Sequence, residues 1–216
     1  MCRLLVLVVI LVVGVAHAQE PRPRIGLVLS GGGARGLAHV GVLKVLEEQR
    51  IRIDAVAGTS MGAIVGGLYA CGMSAHEVER EVRAIDWTNV FETRQERQHL
   101  SQRRKEEDFE FSALFEFGLR DGELRAPVAA VNTRRLESLL RRYTLPVRTV
   151  DAFDRLPIPF RAVATDLETG AAVVLDRGDL STALRSSMSV PGVFSPIDVD
   201  GRVLGDGGLV NNVPID

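Results

Sequence analysis

Three scarcities narrow this sequence before any motif is read. Aromatic residues make up only 5% of it, which argues against a surface that stacks nucleic-acid bases. Neither sign of charge dominates. The formal net charge is −2, so there is no basic excess to draw nucleic acid and no acidic tail. Cysteine occurs only as Cys2 and Cys71. Cys2 precedes an apolar run and cannot serve as a lipid anchor at a cleavage site. If that run is removed, Cys71 stands alone, and the fold must rest on its core without an internal disulfide. Its apolar neighbours, Leu68-Tyr69-Ala70, mark Cys71 as a small buried hydrophobe, not a reactive thiol.

What is present fits one domain. The chain has 216 residues, 46% hydrophobic and 25% charged, enough for a sizeable core. Its first eighteen residues stand apart. Arg3, the apolar stretch Leu4 to Val15 and then Ala16-His17-Ala18 have the form of a signal peptide cleaved after Ala18. The stretch is short for a membrane span. Residues 19–24 read as an exposed lead and residues 25–216 as the folded domain. The expected destination is periplasmic, outer-membrane-associated or secreted.

Periodicity then alternates between strand and helix. Ile25 to Leu29 predicts a buried strand, Leu37 to Gln49 a helix, Ile53 to Ala57 a second strand and Met61 to Cys71 a buried helix. The first helix presents Leu37, Val40, Leu43, Val45 and Leu46 as its apolar face. Gly72 suits the C-terminal cap of the buried helix. Ser74-Ala75-His76-Glu77 has capping-box spacing. Arg94 to Asp108 reads as a charged, exposed excursion. Thr133 to Tyr143 predicts a helix. Phe160 to Thr165 and Ala171 to Leu175 predict strands, and Asp179 caps a helix running to about Met188. Asp200-Gly201 between two apolar triplets signals a hairpin. The pattern predicts an α/β fold with a parallel sheet.

Gly58-Thr59-Ser60-Met61-Gly62 matches G-x-S-x-G between a strand and a helix. A serine at such an elbow is held in a strained conformation, and Gly58 and Gly62 let the turn close. The following helix aims its N-terminal amides at the hydroxyl. Gly31-Gly32-Gly33-Ala34-Arg35-Gly36 follows the first strand and can turn bare N–H groups onto an oxyanion. Arg35 braces that loop, attracts a phosphate-bearing substrate or makes a surface ion pair. The same glycines satisfy G-x-G-x-x-G, the dinucleotide fingerprint. That reading needs an acid at the far end of the second strand. Asp54 instead precedes the apolar stretch Ala55-Val56-Ala57, and the far end carries the elbow.

Ser60 needs a base. His17 leaves with the signal, and His39, His76 and His99 sit at no expected strand end. No histidine follows Asp206. Asp206 ends a hairpin strand and is followed by Gly207-Gly208, so a carboxylate raised by partial desolvation is the better base.

The three motifs in this order, from Ile25 onward, resemble the patatin-like phospholipase family. Ala162 to Asp166 and Ser187 to Gly192 resemble its bacterial members. The resemblance implies a three-layer α/β/α fold with a mostly parallel central sheet and a Ser60–Asp206 dyad. It places the oxyanion hole at Gly31, Gly32 and Gly33, supported by Arg35, Gly36, Gly58, Gly62, Gly207 and Gly208. It implies no metal or other cofactor, and hydrolysis of lipid or phospholipid acyl esters at a membrane surface. The family's pattern continues with a helix and a strand, so the domain is expected to be incomplete at its C-terminal end. The alternative expectation is a lipid-surface-binding module of a larger exported protein.

Overall fold

The computed structural model describes residues 22–87, 118–120, 123–125 and 133–216. The signal-like segment, Cys2, the charged excursion and His99 lie outside the described residues.

The chain order is β1 (Gly26–Leu29), a 3-10 turn (Gly33–Leu37), α1 (Ala38–Glu48), β2 (Ala55–Thr59), α2 (Met61–Ala70) and α3 (Ala75–Ala84). Then come a small hairpin of β3 (Gly118–Arg120) and β4 (Glu123–Arg125), and α4 (Arg134–Thr144). The order ends with β5 (Phe160–Asp166), β6 (Ala172–Leu175), α5 (Leu180–Ser187), β7 (Ile197–Val199) and β8 (Arg202–Asp206).

The main sheet has six strands, ordered β1-β2-β5-β8-β7, with β6 also paired to β5. β1, β2 and β5 pair in parallel; β6 and β8 join β5 antiparallel, and β7 joins β8 antiparallel. Hence β1, β2, β5 and β7 all point the same way.

β5 organises the site. β6 occupies one of its edges. The other edge is shared end to end. Phe160 to Val163 pair with β2, and Ala164 to Asp166 pair with β8. Thr59 lies opposite Val163 and Asp206 opposite Ala164. Two strands running toward each other thus end at adjacent positions on one edge, and both must turn away. The turns are Ser60 and Gly207.

Helix α2 is buried at every position, as its apolar sequence demands. It lies on the sheet face carrying Leu29, Val56 and Phe160, so closely that a Cβ at Gly66 would come within 2.8 Å of Val56 Cγ1. Leu184 of α5 packs on its flank at Gly67. Leu43, Val65, Leu68, Val78, Phe153 and Leu184 are among the core residues.

Local signals were reliable at element ends. Ser74 and Glu77 form the full capping box of α3. Asp179 caps α5 by accepting from Thr182 N–H at 2.7 Å. The β7–β8 turn has φ of 54° at Asp200 and 75° at Gly201, the signature of a tight hairpin turn. Gly72 follows α2 at φ 101°. Two boundaries and one helix face differ. The first helix opens as a 3-10 turn, because the glycine loop must wind back before α1 begins. β2 extends through Thr59, because pairing with β5 holds the chain straight up to the elbow. Val45 is exposed, since only Val40 and Leu43 of α1 are fully buried and Val45 lies on the other flank of the helix.

Cys71 is partly covered, and burial pushes its thiol up to about 12. That keeps it protonated near neutrality and agrees with a packing role.

Candidate active site

Ser60 and Asp206 are separated by 146 residues in sequence, yet Ser60 Oγ donates to Asp206 Oδ2 at 2.6 Å. Both side chains are buried. Ser60 has φ 54° and ψ −122°, a region that costs a non-glycine residue about 1–3 kcal/mol. The close packing around it enforces that geometry. A Cβ at Gly62 would stand 2.2 Å from Leu29 O, and one at Gly58 would stand 2.6 Å from Gly62 O. The start of α2 is thus pressed against both β1 and β2, and the chain can pass only through glycine. Gly36 gives way to the Met61 side chain in the same manner.

Asp206 is held through its backbone and its side chain. Its N–H donates to Ser189 O at 2.8 Å, and its carbonyl accepts from Thr165 Oγ1 at 2.7 Å. Oδ1 accepts from Gly208 N–H at 2.7 Å, leaving Oδ2 for the serine. Gly207 makes the turn possible, since a Cβ there would fall 2.1 Å from Val163 O. Burial raises the Asp206 carboxyl above its ordinary value, while the hydrogen bonds from Ser60 and Gly208 pull it partly back. Desolvation dominates, which strengthens the carboxylate as a proton acceptor.

The glycine loop lies against the elbow. A Cβ at Gly31 would stand 3.1 Å from Ser60 Cβ. Its amides are not equivalent, however. Gly31 N–H donates to Asn212 O at 3.3 Å, so of the three expected donors it is the one already engaged. The cause is tertiary: the segment after Asp206 folds back over the loop. Among the described residues, neither Gly32 nor Gly33 N–H donates to another group. Met61 opens α2, so its N–H has no acceptor within the helix. Gly32, Gly33 and Met61 therefore keep amides that donate to no other group among the described residues.

Arg35 is exposed on the 3-10 turn, and so is His76 on α3. His39 Nε2 donates to Ser30 O at 2.8 Å and so braces the glycine loop from α1. Asp54 does not reach that loop. It accepts from Arg22 and from Ile25 N–H at the opposite end of β1 and β2. The dinucleotide reading therefore loses its acid.

Ser187, Ser189, Thr165 and Asn212 were given no role from sequence. Ser187, Ser189 and Thr165 lie in stretches that resemble the family's bacterial members, and nothing local connects them or Asn212 to an elbow more than a hundred positions away.

A parallel sheet edge, a strained serine between strand and helix, and a buried carboxylate in direct contact with it are the features of the candidate site. The chain belongs to the patatin-like phospholipase family, whose family model matches residues 27–216. It is 36% identical over 193 residues to an uncharacterised NTE family protein of Mycobacterium tuberculosis, covering 89% of this chain and 45% of that protein. It is 37% identical over 199 residues to a patatin-like phospholipase domain-containing protein of Caenorhabditis elegans, covering 89% of this chain and 12% of that one. The chain thus spans less than half of the length of these relatives. Among solved structures it resembles VipD from Legionella pneumophila, with a TM-score of 0.56 and 16% identity over 90% of this chain and 48% of that one. These likenesses establish the patatin fold, an open and mostly parallel sheet with helices on both sides.

Proposed function

We propose that this chain is a lipid acyl-ester hydrolase that works through a Ser60–Asp206 dyad. The observation that carries the reading is the 2.6 Å hydrogen bond from Ser60 Oγ to a buried Asp206 carboxylate. In this reading Ser60 Oγ attacks the ester carbonyl carbon while its proton passes to Asp206 Oδ2. Negative charge gathers on the former carbonyl oxygen, which the amides of Gly32, Gly33 and Met61 receive. Collapse breaks the C–O bond, and the departing alcohol takes the proton from Asp206. Water, activated by the same carboxylate, then releases the fatty acid and restores Ser60.

The dyad needs no histidine because the proton path is direct and the carboxyl is raised by desolvation. Family membership favours a lipid or phospholipid substrate presented at a membrane surface. Residues 1–18 are proposed as the export signal, with the hydrolase domain following. Fluorogenic acyl esters and phospholipid vesicles test the reading. Hydrolysis that disappears in Ser60→Ala supports it, and hydrolysis that persists in that variant overturns it.

A further inference from the structure

The turn that ends α5 touches both halves of the dyad. Ser187 Oγ accepts from Ser60 N–H at 2.9 Å and donates to Val163 O at 2.5 Å. Two residues on, the Ser189 carbonyl accepts from Asp206 N–H at 2.8 Å. The nucleophile and the base, carried by strands far apart in sequence, are therefore gripped at their amides by one short stretch of chain.

That stretch is itself fixed by an unusual anchor. Arg185, on the same helix, is fully buried. Its Nη1 donates to Ser189 Oγ at 2.6 Å, and Ser189 Oγ donates back to Arg185 O at 2.9 Å. Nη2 donates to Ser195 O at 3.0 Å. The guanidinium lies 5.3 Å from the centre of the Phe194 ring, and Nε is 3.7 Å from a Glu137 oxygen. Burying a guanidinium carries a desolvation penalty, and helix–helix packing alone does not require one at this place. Its hydrogen bonds converge on the residues that follow α5.

We propose that Ser187 and Ser189, locked by Arg185, are positioning residues that set the distance and alignment between Ser60 and Asp206. Two residues of backbone have a fixed reach and few soft torsions. They act as a second gauge beside β5, whose adjacent residues Val163 and Ala164 face Thr59 and Asp206. Ser187 also ties the elbow to Val163, the β5 residue opposite Thr59. The proposal rests on the hydrolase reading above and adds to it residues that need not touch substrate.

The test uses three variants of the intact chain: Ser187→Ala, Ser189→Ala and Ser186→Ala. Ser186 is equally buried in the same helix end, and its hydroxyl donates only to Thr182 O, at 2.9 Å. It is the control for a merely structural loss. Melting temperature, kcat and KM on a soluble ester, and the rate of Ser60 labelling by a fluorophosphonate are measured for each. For Ser187→Ala and Ser189→Ala, kcat and labelling rate are expected to fall roughly 10-fold to 100-fold, as for a sub-ångström to ångström misplacement. KM should hold, and Ser186→Ala should retain wild-type kcat. Ser187→Thr, which keeps the hydroxyl, should recover part of the loss. If both first variants keep wild-type kcat and labelling, or if Ser186→Ala loses as much, the positioning role is wrong although the hydrolase reading stands. If the wild-type chain neither hydrolyses ester nor is labelled at Ser60, the hydrolase reading falls and the positioning role falls with it.

Discussion

The proposed nucleophile arm, carrying Ser60, and the proposed base arm, carrying Asp206, reach the same place by different physics. Ser60 sits in a continuous strand–elbow–helix unit, β2 to α2, whose glycines, apolar helix and strained serine are neighbours in sequence. Asp206 ends a short hairpin strand whose partners are β5 and β7. Nothing next to Asp206 in sequence fixes its direction except Gly207 and Gly208. Its amide, its carbonyl and its burial come from Ser189, Thr165 and the sheet edge. One arm is built locally and the other is assembled, so they should fail differently.

The largest effect tests the arms as a chemical unit. Ser60→Ala is expected to lower kcat by about 10⁶-fold, as when a serine hydrolase loses its nucleophile. Asp206→Asn should cost about 10⁴-fold or more, since neutralising a triad carboxylate that only orients a histidine already costs that much and Asp206 is the base itself. The double variant should be little worse than Ser60→Ala, and rate measurements that instead multiplied the two losses would separate the arms.

Stability should split the two substitutions. Burial raises the folded-state pKa of Asp206 above its ordinary value of 3.8. The folded protein therefore holds this proton more tightly than the unfolded chain does. The stabilising contribution is complete below the unfolded pKa and is lost as pH rises through the folded one. At neutral pH the ionised carboxylate burdens the fold, so Asp206→Asn should melt at the same or a higher temperature while losing activity. A clear drop in melting temperature would show that the base arm depends on the charge itself.

Backbone closeness gives the next effect. Gly62→Ala and Gly207→Ala each drive a methyl into a main-chain carbonyl, at 2.2 Å from Leu29 O and 2.1 Å from Val163 O. Each should cost about 3 kcal/mol or more of stability by overpacking, measured by urea unfolding. Near-wild-type stability of Gly207→Ala would show that the base arm can yield where the nucleophile arm cannot.

The pH–rate profile offers a gentler probe. Rate should fall as pH drops through the raised Asp206 pKa, because the protonated acid cannot accept the serine proton. In Ser60→Ala the remaining rate should lack that limb. The smallest effect is a control away from both arms. Ser74→Ala removes the α3 cap and should cost about 1 kcal/mol, read by thermal melting, with kcat unchanged.

The same division separates what was legible from what was not. The elbow, the capping box, the hairpin turn and the buried α2 could be read from residue order, because each depends on contacts within a few positions. The helix face of α1 was read one residue too wide at Val45, since exposure depends on which elements pack beside it. The glycine loop was expected beside the elbow and lies there, but its amides could not be ranked. Gly31 N–H is taken by Asn212, 181 residues away along the chain, and no local pattern announces that.

By itself, then, the sequence determined that Ser60 would be presented on a strained turn beside a run of bare amides. Glycine spacing and apolar periodicity act through short-range sterics, which residue order specifies. The Asp-Gly-Gly motif and the family resemblance point to Asp206 as its partner, but only the tertiary structure brings the two into contact. That pairing exists because β2 and β8 meet end to end on one edge of β5 and are clasped by the turn after α5. A meeting of strands so distant in sequence is set by sheet pairing and burial, which no single stretch of chain contains.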